Sequence, residues 1–113
     1  MTGRKDDNGK LNYSIMPLNE IEEIMGVIQM GANKYEIDNW KDMEDPMRFM
    51  AAMERHYISY MKAVQHNADI KAGRIKDNMT DRDKRRDKES MKSHLAHIAV
   101  NAIFKMWHDH NQK

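Results

Sequence analysis

Three stretches of the chain repeat apolar residues every three or four positions, which is the spacing of an amphipathic helix. The first stretch follows Pro17, a residue suited to the first turn of a helix because its missing N–H is not needed there. Its apolar positions are Leu18, Ile21, Ile24, Met25 and Ile28. We expect Gly31 to end or bend this helix.

The second stretch begins at Asp45-Pro46, where Asp is a good N-cap and Pro a good first helical residue. We expect this helix to reach about residue 66. Its apolar stripe consists of Met50, Met53, Tyr57, Tyr60, Met61 and Val64.

The third stretch is predicted to start at a Ser90 cap and to run to about His108. Its apolar face contains Leu95, Ile98, Ala99, Ala102, Ile103 and Met106. A neighbouring polar arc contains His94, His97, Asn101 and His108. An apolar stripe beside a polar one is typical of a bundle whose interior opens into a pocket.

The remaining segments show no strand pattern. Residues 1–16 are interpreted as an N-terminal arm, and residues 67–89 as a charged loop or a helix extension. Positions 71–92 hold nine Lys or Arg against five Asp or Glu, so a basic flap over a phosphate chain is the alternative interpretation. The pattern predicts a single all-α domain over residues 1–113, an antiparallel bundle of three long helices plus short pieces.

Composition narrows the function classes further. The chain has 113 residues, no cysteine and a net charge of +1. Disulfides, thiolate zinc sites and membrane spans are not expected in such a chain. A cytoplasmic location is expected instead. The near-neutral charge argues against a nucleic-acid partner, because binding the phosphate backbone of a nucleic acid needs a basic face. A chain this small buries a limited share of its surface, which favours a homo-oligomer.

Short strings spread along the chain resemble one known family. They are Asp7 with Gly9-Lys10, Met16-Pro17, Gly31-Ala32-Asn33-Lys34-Tyr35, Asn39-Trp40, Arg55-His56, and Asp87 with Ser90, His94-Leu95-Ala96-His97, Asn101 and Phe104. In this order they are similar to the phage-type dATP/dGTP diphosphohydrolases, which are grouped near the MazG-like all-α nucleoside triphosphate pyrophosphatases. Met91 stands where that family has a glycine, and His94 and His97 stand where MazG proteins have an acidic pair.

The resemblance implies hydrolysis of a purine (deoxy)nucleoside triphosphate to a monophosphate and pyrophosphate. Such a reaction needs cations on the phosphates, an oriented water and a base. The candidate phosphate contacts are Lys10, Lys34 and Arg55. Tyr35 and Trp40 are candidates for stacking on the base, and Asn39 and Asn101 for hydrogen bonds to base or sugar. Trp40 is equally well explained as a core residue of the loop.

The histidines are the candidate catalytic and metal-binding groups. His56, His94, His97 and Asp87 together suit a transition metal such as Mn²⁺. If Mg²⁺ serves instead, the ligands are Glu20, Glu23 and Glu54, because Mg²⁺ prefers oxygen ligands. The histidines then bind substrate or move protons, or are ordinary polar residues. A non-catalytic nucleotide binder, such as a viral sponge for a nucleotide-derived host immune signal, is the alternative to an enzyme. No role is assigned to His66.

Overall fold

The computed structural model describes residues 9–76 and 84–112, and this part of the chain is helical. Its three α-helices are α1 (Leu18–Lys34), α2 (Met47–Lys71) and α3 (His94–His110). Short 3₁₀ turns lie at Tyr13–Ile15 and Asn39–Asp42. The predicted all-α class with three long helices is confirmed, whereas the likeness to the MazG architecture stays a prediction. None of the described helices is long and apolar enough to cross a membrane.

The helix ends follow the predicted signals in part. Asp45 accepts the Met47 N–H at 3.1 Å, as expected of a capping residue, and Pro46 directly precedes α2. The helix α1 continues past Gly31 to Lys34, and α2 continues past residue 66 to Lys71. The charged segment therefore begins as a helix extension, and its residues 77–83 lie outside the described part.

The predicted start of α3 was wrong. The cap is Ser93, whose Oγ accepts the Leu95 N–H at 3.1 Å. Ser90 lies in a turn, because its own N–H donates to Asp87 Oδ1 at 2.9 Å. A residue held in such a turn cannot begin a helix, so the start moves on to the next serine.

Helix α3 is central, since both other long helices pack on it. Near the start of α2, Phe49 contacts Phe104 with 5.7 Å between ring centroids. Further along α2, His56 contacts His94 with 5.1 Å between centroids. Later residues of α2 therefore meet earlier residues of α3, so this pair is antiparallel, as predicted.

The buried core is small and lies on a different face of α3 than predicted. The buried apolar residues of the described chain are Val27, Phe49, Ala63, Ala96 and Val100. Leu95 and Met106, placed in the core by the apolar pattern, are 49% and 55% exposed. One residue along a helix turns the face by about 100°, so α3 packs through Ala96 and Val100 instead.

The apolar stripe of α2 is also largely open in the single chain. Tyr57 is 56%, Met61 45% and Val64 40% exposed. The radius of gyration is 18.7 Å, whereas a compact chain of this length would have one of about 13 Å. The isolated chain therefore leaves large apolar surfaces uncovered.

An aromatic cluster joins the Asn39–Asp42 turn to the C-terminal half of α3. Trp40 stacks on Phe104 with 4.2 Å between centroids and meets Trp107 edge-on at 5.2 Å. His108 Nε2 also lies 2.8 Å from the Trp40 carbonyl oxygen and donates to it. These contacts favour the interpretation of Trp40 as a core residue over that of a base platform.

Candidate functional site

Three histidines from two helices form the centre of the site. The Nδ1 atoms of His56 on α2 and His94 on α3 lie 2.8 Å apart, so one of them donates and the other accepts. His97, one turn further along α3, stacks on the His56 ring with 4.5 Å between centroids. The antiparallel pairing of α2 and α3 thus brings together residues that are about 40 positions apart in sequence.

A tight turn before α3 adds a carboxylate to the histidines. Asp87 Oδ1 accepts the N–H groups of Glu89 at 3.0 Å and Ser90 at 2.9 Å, which is a typical Asx arrangement. The same carboxylate oxygen, Asp87 Oδ1, lies 3.9 Å from His97 Nε2. Ser90 Oγ lies 2.7 Å from the same His97 nitrogen. The turn therefore fixes both the carboxylate and the His97 ring.

The turn ends in a left-handed residue, which accounts for the glycine that the resembling family has at this position. Met91 has a φ of 60°, at the position where the resembling family has glycine. Its N–H donates to the Asp87 carbonyl oxygen at 2.8 Å. Arg86 Nη1 donates to the Met91 carbonyl oxygen at 3.0 Å. These bonds hold a non-glycine residue in a conformation that glycine adopts without strain.

Burial and neighbouring charges set the protonation of the site. Burial, together with repulsion from the protonated forms of His97 and His94, lowers the pKa of His56 to about 4. Burial likewise lowers the pKa of His97, against the opposing effect of Asp87. Burial raises the pKa of Asp87, but hydrogen bonds from Ser90 and Glu89 and the charge of His97 outweigh it and lower that pKa. At neutral pH the site therefore holds neutral His56 and His97 rings beside a carboxylate.

This arrangement has the composition of a metal site. Ligand atoms of His56, Asp87 and His94 all lie within 4.8 Å of one another. Metal ligation requires neutral imidazole and ionised carboxylate, which is the state that the cluster favours for His56 and Asp87. Two imidazoles and one carboxylate suit Mn, Fe, Co or Zn better than Mg. The residues present therefore fit a divalent transition metal.

The glutamates proposed as alternative ligands lie elsewhere. Glu23 on α1 accepts the Ser93 N–H at 2.7 Å and lies 3.6 Å from Arg86 Nη1. It thereby completes the cap of α3 from another helix. Glu20 and Glu54 are exposed on α1 and α2. In the described part of the chain, the metal-sized cluster includes none of the three.

A cleft of about 790 Å³ opens beside Asp87 and His94. Its lining is rich in cations from α2 and from the segment before α3. The residues are Ser59, Lys62, Ala63, His66, Lys84, Arg86, Asp87, Lys88, Met91 and His94. The volume and charge suit a polyphosphate chain.

Lys62 and His66 were missed by the sequence analysis. A signal for them existed, because His56, Ser59, Ala63 and His66 follow one another at helical spacing and share one face of α2. The apolar stripe predicted for α2 contains none of these four residues, and the buried one among them is Ala63. The lysines and arginine at positions 84, 86 and 88 belong to the charged segment for which a basic flap was the alternative interpretation.

Two of the expected substrate contacts lie next to the histidines. Arg55 precedes His56 and is exposed, and its charge contributes to the lowered pKa of His56. Asn101 lies one turn after His97 and donates from Nδ2 to the His97 carbonyl oxygen at 2.8 Å.

None of the expected substrate contacts, Arg55 and Asn101 included, is among the described residues that line the cleft. Lys34 pairs with Glu89 at 2.7 Å, and this bond raises the Lys34 pKa. Tyr35 and Asn39 are exposed after the end of α1, and Lys10 is exposed in the N-terminal arm. The structure therefore gathers the predicted catalytic residues but not the whole predicted set of substrate contacts.

Comparison with known proteins adds independent evidence. The family model described as "dATP/dGTP diphosphohydrolase, N-terminal" matches residues 1–113. A protein named dATP/dGTP diphosphohydrolase from Salmonella phage PMBT28 is 28% identical over 107 residues, which cover 95% of this chain and 30% of that protein. The chain thus spans about a third of the length of this relative, and no solved structure matches it. With its motifs in the family's order and the model matching throughout, the chain belongs to the dATP/dGTP diphosphohydrolase N-terminal family.

Proposed function

We propose that this domain binds purine deoxynucleoside triphosphates and hydrolyses them to the monophosphate and pyrophosphate. The observation that carries the proposal is the His56–Asp87–His94 cluster at the wall of a cationic cleft. The description of the family and the name of the phage relative both specify dATP and dGTP, which supports the purine preference.

The chain's own residues can supply the parts that the reaction needs. Cations of the cleft neutralise phosphate oxygens, as phosphoryl chemistry requires. His97, which is neutral at pH 7 and held by Ser90 and Asp87, is assigned as the group that accepts the proton of the attacking water. His56, Asp87 and His94 are the residues that would hold a divalent metal. Such an ion acts as a Lewis acid on phosphate oxygens.

The test is incubation of the protein with dATP, dGTP, dCTP and dTTP, each with Mg²⁺, Mn²⁺, Co²⁺ or Zn²⁺, and chromatography of the products. We expect purine monophosphate and pyrophosphate in equal amounts. His97→Asn should reduce the rate by at least about 100-fold, the scale of lost general base catalysis. His110→Asn, an exposed histidine on the same helix, is the matched control.

The same experiment separates the enzyme from its alternative. A sequestering protein would bind nucleotide in calorimetry and return it unchanged. If the protein binds nucleotide but forms no product with any of the metals, the sequestering function is supported and the enzymatic one is refuted. Neither binding nor products would refute both.

We also propose that the domain self-associates through the open faces of α2 and α3. The supporting observation is the exposure of Tyr57, Met61 and Val64 on α2 and of Leu95 and Met106 on α3. Exposed large apolar side chains on two helices are the kind of surface that an interface covers. Light scattering should give a mass of at least two chains, each of 13.4 kDa. A monomer mass at every concentration would contradict this proposal.

A further inference from the structure

The cleft continues beyond His94 along α2, and this end has features that the histidine cluster does not use. Lys62 and His66 lie one helical turn apart and both line the cleft. Lys88, in the turn before α3, lines the same cleft. Among the described residues of the lining, Asp87 is the one carboxylate, and it lies at the histidine end.

His66 carries an unmet hydrogen-bonding atom. Its Nε2 is buried and has no hydrogen-bond partner among residues 9–76 and 84–112. Such an atom costs free energy unless a ligand or water satisfies it. Because His66 lines the cleft, a ligand there can reach this side chain.

The two lysines supply charge at the same place. Neither Lys62 nor Lys88 forms an ion pair with any residue of the described chain. Arg86, in contrast, already lies 3.6 Å from the Glu23 carboxylate. Uncompensated cations that share a cleft with an imidazole whose nitrogen lacks a partner favour a ligand with several negative oxygens.

From this juxtaposition we propose that Lys62, His66 and Lys88 form a diphosphate subsite. The inference rests on the proposed function, because the diphosphate would be the β- and γ-phosphates of the nucleotide, the part released as pyrophosphate. His94 belongs both to the histidine cluster and to the cleft lining. The nucleotide therefore lies with its α-phosphate at His94 and its terminal phosphates towards His66.

Inorganic pyrophosphate is the probe, measured by calorimetry on the metal-free full chain. Lys62→Met should weaken its Kd by at least about tenfold, equal to about 1.4 kcal/mol. Lys71→Met is the matched control, since Lys71 is also an exposed α2 lysine but does not line the cleft. It should leave the Kd unchanged. His66→Phe, which removes the nitrogen, should weaken pyrophosphate binding as well.

Two nucleotide arms distinguish free pyrophosphate from the nucleotide's own phosphates. A non-hydrolysable dATP analogue should lose affinity in Lys62→Met, whereas dAMP, which lacks the diphosphate, should not. If Lys62→Met loses affinity for pyrophosphate but not for the dATP analogue, the subsite binds free pyrophosphate and the proposed orientation of the nucleotide is overturned.

The outcomes separate the subsite from the proposed function. Pyrophosphate binding that depends on Lys62, without turnover of any nucleotide, supports the subsite and refutes the enzyme. Turnover with an unchanged pyrophosphate Kd in Lys62→Met supports the enzyme and overturns the subsite. Absence of pyrophosphate binding in the unmodified chain also overturns it.

Discussion

Lowering the pH from 7 to 5 is expected to destabilise the metal-free protein through His56. The folded chain lowers the pKa of this side chain to about 4, whereas an unfolded histidine has a pKa of about 6.5. Between these values the unfolded chain binds a proton that the folded chain does not. Stability is therefore complete above about pH 6.5 and is lost as the pH falls towards 4.

The size of the effect follows from the two pKa values. From pH 7 to pH 5, the difference in proton binding corresponds to about 2 kcal/mol. His56 is partly exposed, and solvent screening reduces this figure to about 1 kcal/mol. His97, whose pKa is also lowered, acts in the same direction. Asp87 does not oppose them, because its lowered pKa lies below this pH window.

The assay is thermal unfolding followed by circular dichroism in a chelating buffer at pH 7, 6 and 5. A loss of about 1 kcal/mol should lower the Tm by about 4 °C in a domain of this size. His56→Gln removes the titrating group, so its Tm should fall less over the same range. His110→Gln, at the exposed end of α3, should follow the unmodified protein. Equal Tm losses in the unmodified protein and His56→Gln would refute the reasoning.

Three further predictions concern the turn, the cap and the metal. Met91→Gly should raise the free energy of unfolding in urea by about 0.5 kcal/mol, because relief of the left-handed φ exceeds the entropy cost of glycine; an unchanged or lower value would contradict this strain. Glu23→Gln should lower it by about 1 kcal/mol through the weakened cap of α3, whereas the exposed Glu20→Gln should have little effect. Mn²⁺ at 100 times its Kd should stabilise the protein by about 2.7 kcal/mol; an equal shift in His94→Asn would place the ion elsewhere.

The sequence predicted the helices because their apolar repeats and proline starts are local signals. Local signals did not decide which face of α3 packs. Leu95 and Met106 are more apolar than Ala96, yet Ala96 is buried. A small residue lets a neighbouring helix approach closely. The larger side chains lie on the outer surface of α3, where no other helix of the described chain covers them. The hydropathy of a side chain indicates its tendency to be buried but does not indicate which element packs against it.

The candidate site was predictable in its centre and not at its edges. His94 and His97 share a helix, so their spacing alone placed them together, and the family motifs added His56 and Asp87. The link from Ser93 to Glu23 spans 70 positions and has no local signature. His66 shares a face of α2 with His56, but the place of Lys62 and His66 in a cleft depends on the segment before α3, which lines the same cleft.

Both tryptophans of the chain lie in the cluster that holds the Asn39–Asp42 turn on α3. Trp107 is ten positions beyond His97 on the same helix, a separation of about 15 Å. Intrinsic tryptophan fluorescence should therefore report the docking of that turn more strongly than occupancy of the cleft. The rings of Trp40 and Trp107 are 5.2 Å apart and nearly perpendicular at 82°, so near-ultraviolet dichroism should carry a signal of their coupling. Both optical signals should therefore follow the release of that turn from α3 on unfolding, whereas ligand binding in the cleft is followed by calorimetry.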